Sequence, residues 1–245
     1  MAEVKPSRNV IILTSGLSGS SVLAALLAQA GYWPGDETFR KKDYDTWENL
    51  DLVKLNKRLL EQVGFTKDYG MAFTEEDARY VAERSLNVDP TPYREFISRC
   101  QQRQPWLWKD PRLLLTIDFW RRHMDMKNVD FILVSREPLQ AWISQSIRRQ
   151  IQSPAYCKRY VKETWRYLTG VVRKLDKPLL DLTYEALLVR PEQTLADINN
   201  HLSIHLTLAD LEGVYRGRLR HRSHGISDLG KACLIYLKNY RERYS

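Results

Sequence analysis

The sequence predicts an α/β fold in which a mainly parallel central sheet is flanked by helices. Three observations lead there. Residues 10–13, 130–135 and 178–183 are short apolar runs of strand length, and residues 105–108 add a fourth. Amphipathic segments of helical period separate these runs. The first run passes through a loop of small residues into an Ala- and Leu-rich segment, residues 22–30, which is the order buried strand, tight loop, helix.

Length and composition set the bounds. The chain has 245 residues and 43% hydrophobic residues, enough for a sizeable core and consistent with one domain over residues 1–245. Its formal net charge of +8 favours anionic ligands. The basic residues are spread along the chain, with one short cluster at 216–222, so nucleic acid is the weaker inference. Cys100, Cys157 and Cys233 show no metal-ligand spacing, and an odd count argues against a fully paired disulfide set. The polar start and the lack of any 18-residue apolar stretch predict no signal peptide, no membrane span and a cytoplasmic protein.

Taken in order, the opening strand and helix are followed by a loop at 32–40, broken by Pro34 and Gly35. Leu50, Val53, Leu59 and Leu60 recur at helical spacing and predict a helix over 47–63. Thr74 before three acidic residues, and Thr91 before Pro92, mark two further helix starts. These helices form an insertion over about 65–104. Its aromatics, Tyr80, Tyr93 and Phe96, can either wall a pocket or pack a core. The strand at 105–108 delivers Lys109, and the strand at 130–135 delivers Arg136, before helices at 113–124 and 139–149. A long amphipathic helix spans 156–175. The strand at 178–183 ends at Tyr184 and Glu185, with a helix at 191–202. A basic loop and terminal helix occupy about 215–241.

The loop at 14–21 has the makings of an anion site. Gly16 and Gly19 permit backbone conformations and close approaches that a Cβ blocks. Ser20 and Ser21 bring hydroxyls to the N–H groups of the helix start, where the dipole favours negative charge. The pattern of an NTP-binding loop, G-x-x-x-x-G-K-[ST], is not met: Gly16 and Gly19 are too close together, and Ser20 stands where the Lys belongs. By itself the segment also fits a strand-to-helix turn that binds nothing.

Three separated segments together resemble the sulfotransferase family, whose members use 3′-phosphoadenosine 5′-phosphosulfate (PAPS). SGSS at 18–21 is similar to the family's phosphosulfate loop, R-S-G-T-[ST]. LVSREPLQAWISQSIRR is similar to its 3′-phosphate motif, with Arg136 after a strand and Ser144 eight residues later. WLWKDPRLLLTIDFW resembles the K-D-P segment of bacterial and tyrosylprotein members, and TWENLDLVKLNKRLL and LTYEALLVRPEQTL resemble two further segments of the family. The resemblance implies a P-loop NTPase-like three-layer architecture and PAPS as co-substrate, with no metal. One departure stands out: Leu17 occupies the position where the family loop carries Arg or Lys. Lys109, Arg112, Arg8 and Arg40 are candidates to supply that cation from elsewhere.

The resemblance assigns roles residue by residue. Leu17, Ser18, Gly19, Ser20 and Ser21 hold the 5′-phosphosulfate. Arg136 and Ser144 hold the 3′-phosphate, with Arg148 one turn beyond Ser144. Arg218 and Arg220 of the basic loop close over the nucleotide. Lys109 stabilises the leaving oxygen; its bland alternative is a salt bridge with Asp110, as that of Arg136 is an ion pair with Glu137. Glu37 and Glu48 are both candidate bases, and among the histidines only His224, beside the basic loop, stands out. The acceptor, whether sugar, lipid, peptide or small metabolite, is not legible. A non-catalytic nucleotide-binding protein and, less well supported, a small-metabolite kinase remain open.

Overall fold

The computed structural model describes residues 7–16, 18–42, 44–67, 73–215 and 223–242. The chain runs β1 (Asn9–Thr14), α1 (Ser20–Gln29), β2 (Thr38–Arg40), β3 (Asp45–Asn49), α2 (Leu50–Gln62), α3 (Glu75–Arg84), α4 (Thr91–Gln101), β4 (Leu107–Lys109), α5 (Leu113–His123) and β5 (Val129–Ser135). It continues through α6 (Pro138–Ile147), α7 (Pro154–Lys174), β6 (Leu179–Thr183), α8 (Tyr184–Val189), α9 (Pro191–Leu202), α10 (Leu208–Tyr215) and α11 (Ile226–Lys238).

Four strands form one parallel sheet in the order β4-β1-β5-β6. Every residue of β1 is buried, which explains why it reads as a continuous apolar run. Alternate side chains feed opposite faces. Ile11, Leu13, Phe131 and Leu133 pack into a core with α2, α3, α4, α5 and α7. Val10, Ile12, Ile132 and Val134 pack against α1, α9 and α10. The result is three layers, helix–sheet–helix, as expected.

The insertion behaves as core. Tyr93 packs edge-on against Phe119 and Trp120, and Phe96 stacks on Trp108 with ring centroids 5.4 Å apart. The helix start at Thr74 is a capping box, in which Thr74 and Asp77 each bond the other's backbone N–H.

Two local expectations are corrected. Residues 38–40 and 45–49 pair as a small antiparallel sheet, where a loop and the start of a helix were expected. Asn49 ends that strand and caps α2, its side chain accepting from the N–H groups of Asp51 and Leu52, so the helix begins at Leu50 rather than near Trp47. Helices α8 and α10 were not anticipated. Thr183 caps α8 through the N–H of Ala186, and Thr207 with Asp210 organises the start of α10.

Candidate functional site

β1 is the central strand from which the chain departs in both directions: β4 lies on one side, β5 and β6 on the other. Loops leaving β1 and β5 therefore open a crevice at the carboxyl edge of the sheet, the usual ligand position in such folds. Register places the ends together. Lys109 pairs with Ile12 of β1, and Val134 pairs with Thr14, so Arg136 leaves β5 just past the start of the loop.

A cleft of about 210 Å³ fills this crevice. Ser18, Gly19, Ser20 and Ser21 line it from the loop, Thr46 and Glu48 from β3, Lys109 from β4, and Ser144 and Arg148 from α6 and its end. Arg136 and Tyr184 complete the wall. The loop, the Arg–Ser pair and the Lys, assigned from three distant segments, thus share one cleft. Leu17, Arg218 and Arg220 lie outside the described residues. His224, which follows the basic loop, also lines the cleft, its imidazole Nδ1 3.1 Å from Asp228 and its backbone held by the side chain of Gln140.

The loop is shaped for a close approach. Gly19 has φ of 78°, and a Cβ there would fall 2.2 Å from the Tyr184 ring. Any other residue meets both a left-handed backbone and that ring. Within the loop the Thr14 and Ser18 hydroxyls share a hydrogen bond, and the N–H of Gly16 donates to Thr14 Oγ1 at 3.1 Å. α1 starts without a side-chain cap and without an acidic residue in its first turn, so its positive end faces the cleft uncompensated among the described residues.

Lys109 is only 3% exposed. Its ammonium donates to Glu48 Oε1 at 2.7 Å, to the Thr46 carbonyl at 3.0 Å and to Ser21 Oγ at 3.2 Å. It therefore spans from β3 to the loop. The expected alternative partner, Asp110, is engaged elsewhere: it accepts from Arg112 and from Asn56. Of the four cations weighed as substitutes for the one absent at Leu17, Lys109 reaches the loop, through Ser21. Arg8 pairs with Asp130 at the opposite end of the sheet, Arg40 with Asp45, and Arg112 with Asp110.

The two carboxylate candidates separate. Thr46 and Glu48 stand two apart on β3 and share the face that lines the cleft. Glu37 instead lines a second cavity, of about 350 Å³, together with Trp33, Asn49, Phe96 and Arg103. The residue that alternates with Glu48, Asn49, faces that second cavity. Tyr80, Tyr93 and Phe96 do not line the first cleft; Phe96 lines the second.

Arg136 is also buried, and it pairs with Glu185 rather than Glu137: Nε donates to Glu185 Oε1 at 3.2 Å, while the N–H of Glu137 donates to Oε2 at 3.0 Å. Its guanidinium lies over the Tyr184 ring at 5.2 Å. The dipeptide Tyr184-Glu185 thus touches both the loop, through Gly19, and the arginine. The sequence placed these residues at a strand exit but gave no sign of that double contact.

Among the described residues no group of three or more His, Cys, Asp or Glu side chains is placed to hold a metal ion, and no helix is long and apolar enough to cross a membrane.

Comparison with known proteins adds the family. A model described as "Sulfotransferase family" matches residues 9–207. Among solved structures, the chain is similar to the sulfotransferase domain of the olefin synthase of Synechococcus PCC 7002, at 17% identity and a TM-score of 0.51, covering 99% of this chain and 96% of that one. It is also similar to the sulfotransferase domain from the curacin biosynthetic pathway, at 17% identity and a TM-score of 0.54, covering 93% and 83%. At this identity the likeness shows the fold. No curated protein matches the sequence significantly.

Proposed function

The chain belongs to the sulfotransferase family, and from that premise we propose that it transfers the sulfuryl group of PAPS to a hydroxyl or amine of an acceptor, releasing adenosine 3′,5′-bisphosphate. The observation that carries this reading is the convergence of Ser18–Ser21, Arg136 with Ser144, and the Lys109–Glu48 pair on one cleft. The fit to the donor rests on the site's own features. An uncapped helix start and an approach cleared by Gly19 suit one phosphate-like group, and a buried guanidinium that shares the cleft with Ser144 suits a second.

PAPS supplies the sulfuryl group. The residues around it then divide the work. Glu48 takes the proton as the acceptor oxygen or nitrogen forms its bond to sulfur. Lys109 neutralises the charge that develops on the bridging oxygen as the sulfur–oxygen bond to the phosphate breaks, and can protonate that oxygen. Its contact with Ser21 brings the cation to the loop where Leu17 provides none. Arg136 keeps its proton and holds.

The test is a calorimetric titration with adenosine 3′,5′-bisphosphate and, separately, ATP with Mg²⁺, paired with transfer from labelled PAPS to an acceptor panel. Tighter binding of the bisphosphate and label transfer are expected. Tighter binding of ATP would overturn the reading in favour of a kinase. Bisphosphate binding with no turnover of PAPS would favour a non-catalytic binding protein.

A further inference from the structure

The inward stripe of α2 is Leu52, Val53, Leu59 and Leu60, interrupted by Asn56. A polar residue at a core position is informative because burial without partners is costly. Asn56 is fully buried, and its amide is satisfied by three groups from two other parts of the chain. Nδ2 donates to Asp110 Oδ2 at 2.9 Å, while Oδ1 accepts from Thr116 Oγ1 at 2.9 Å and from Trp120 Nε1 at 2.8 Å. The orientation is forced: an indole N–H can only donate and a carboxylate can only accept. Asp110 is itself fully buried, and its other oxygen accepts from the backbone N–H and Nη1 of Arg112.

These bonds close a ring around the reacting pair. Glu48 stands on β3, Asn49 caps α2, Asn56 sits along α2, Asp110 receives Asn56, and Asp110 is the chain neighbour of Lys109, which returns to Glu48 at 2.7 Å. Apolar contacts between α2 and its neighbours are non-directional and resist sliding weakly. The Asn56–Asp110 bond is directional and fixes how α2 sits against the strand end. With both its oxygens engaged by Asn56 and Arg112, Asp110 also offers no competing partner to the Lys109 ammonium.

We infer that Asn56 is a positioning residue: through Asp110 it holds the Lys109 ammonium against the Glu48 carboxylate. The functional meaning rests on the reading of that pair as the reacting centre, but the placement itself can be tested apart from activity. Protein labelled with ¹³C at lysine Cε gives one resonance for Lys109, assigned by its loss in Lys109→Met. Asn56→Ala should move that resonance in the direction Glu48→Gln moves it. Tyr93→Phe, which removes a different hydrogen bond to α2, from Tyr93 to Gln62, should lower the melting temperature without moving it. In the same samples PAPS turnover should fall at least tenfold in Asn56→Ala, with affinity for adenosine 3′,5′-bisphosphate within about twofold of the unmodified protein.

An unmoved Lys109 resonance in folded Asn56→Ala overturns the inference, as does an equal shift in Tyr93→Phe. Absent PAPS turnover in the unmodified protein would overturn the proposed function while the resonance still decides the positioning. Should Asn56→Ala fail to fold, Asp110→Asn, which keeps the shape and removes the charge from the Asn56 bond, takes its place with the same expected shift and the same overturning result.

Discussion

Lys109 and Arg136 stand at the ends of β4 and β5, the two strands that flank β1. Both are buried cations, and each is matched to a carboxylate: Lys109 to Glu48 and Arg136 to Glu185. The difference lies in what each pair can do. Glu48 lines the cleft beside its lysine, whereas Glu185 is not among the residues lining it and instead braces Arg136 and the N–H of Glu137 from behind. An ammonium can give up a proton in a suitable setting; a guanidinium does not. In the proposed reaction, one end of the cleft moves protons and the other grips. A buried ion pair is weak evidence for stability, since desolvation offsets much of the attraction. Two such pairs meeting at one sheet edge fit the proposed site better than a stabilising role.

Three substitutions break that comparison, in falling order of effect. Lys109→Met should lower PAPS turnover by about a thousandfold, the scale expected when a group facing developing charge is removed. Affinity for the bisphosphate should change by less than about tenfold, the loss of one charge-assisted contact. Equal losses in turnover and affinity would mean that Lys109 also grips. Next, Glu48→Gln should lower turnover by about a hundredfold, within the usual range for an acid–base group, and Glu37→Gln should leave it unchanged. Rates measured at saturating donor check both, and the reverse ranking would move the base to the second cavity.

Arg136→Lys should act on the other quantity. A lysine keeps the charge but loses the fork that lets one residue contact Glu185 and a phosphate together. Bisphosphate affinity should fall about tenfold or more, equivalent to one charge-assisted bond, with turnover at saturating donor nearly preserved. Titration calorimetry on the folded variant measures it. A fall confined to turnover would erase the division between the two ends.

The sequence made this division partly visible. The central strands β1 and β5 were legible because both of their faces are covered, which leaves no polar alternation to obscure the apolar runs at 10–13 and 130–135. Lys109 and Arg136 were legible because each directly ends such a run. The β2–β3 hairpin was not: Asp45–Asn49 reads DTWEN, with Trp47 at φ of 57°, and nothing in that string announces a strand. Without the hairpin, Glu37 and Glu48 look equivalent; in the fold Glu48, on β3, lines the cleft, while Glu37, just before β2, lines the second cavity. Asn56 carried a readable signal, a lone amide in an apolar stripe, although its partners lie 54 to 64 positions further along the chain. Tyr184 gave none for its contact with Gly19, because a ring at a strand exit has no preferred partner in sequence.

The smallest effect separates the chemistry of the cleft from the titration of the scaffold. His201 lies on α9, and its Nε2–H donates to the Phe131 carbonyl at 3.1 Å, toward the Arg8–Asp130 end of the sheet and away from the cleft. Burial pushes its pKa below the ordinary histidine value of 6.5, with the charge of Arg8 acting in the same direction; Asp130 and the Phe131 bond act against it. The folded protein thus resists protonation that the unfolded chain accepts. The contribution is fully present above about pH 6.5 and is lost as pH falls through the lowered folded value. His123, also depressed chiefly by burial, adds to the same slope. His201→Asn keeps an N–H for Phe131 and removes the titration. Urea midpoints measured at pH 7.5 and 5.5 should therefore lie closer together in the variant. PAPS turnover, normalised to pH 7.5, should follow an unchanged pH profile, because the cleft lies at the opposite edge of the sheet from His201. An altered turnover profile would tie the two ends of the sheet together, and an unchanged midpoint difference would remove His201 from the acid response.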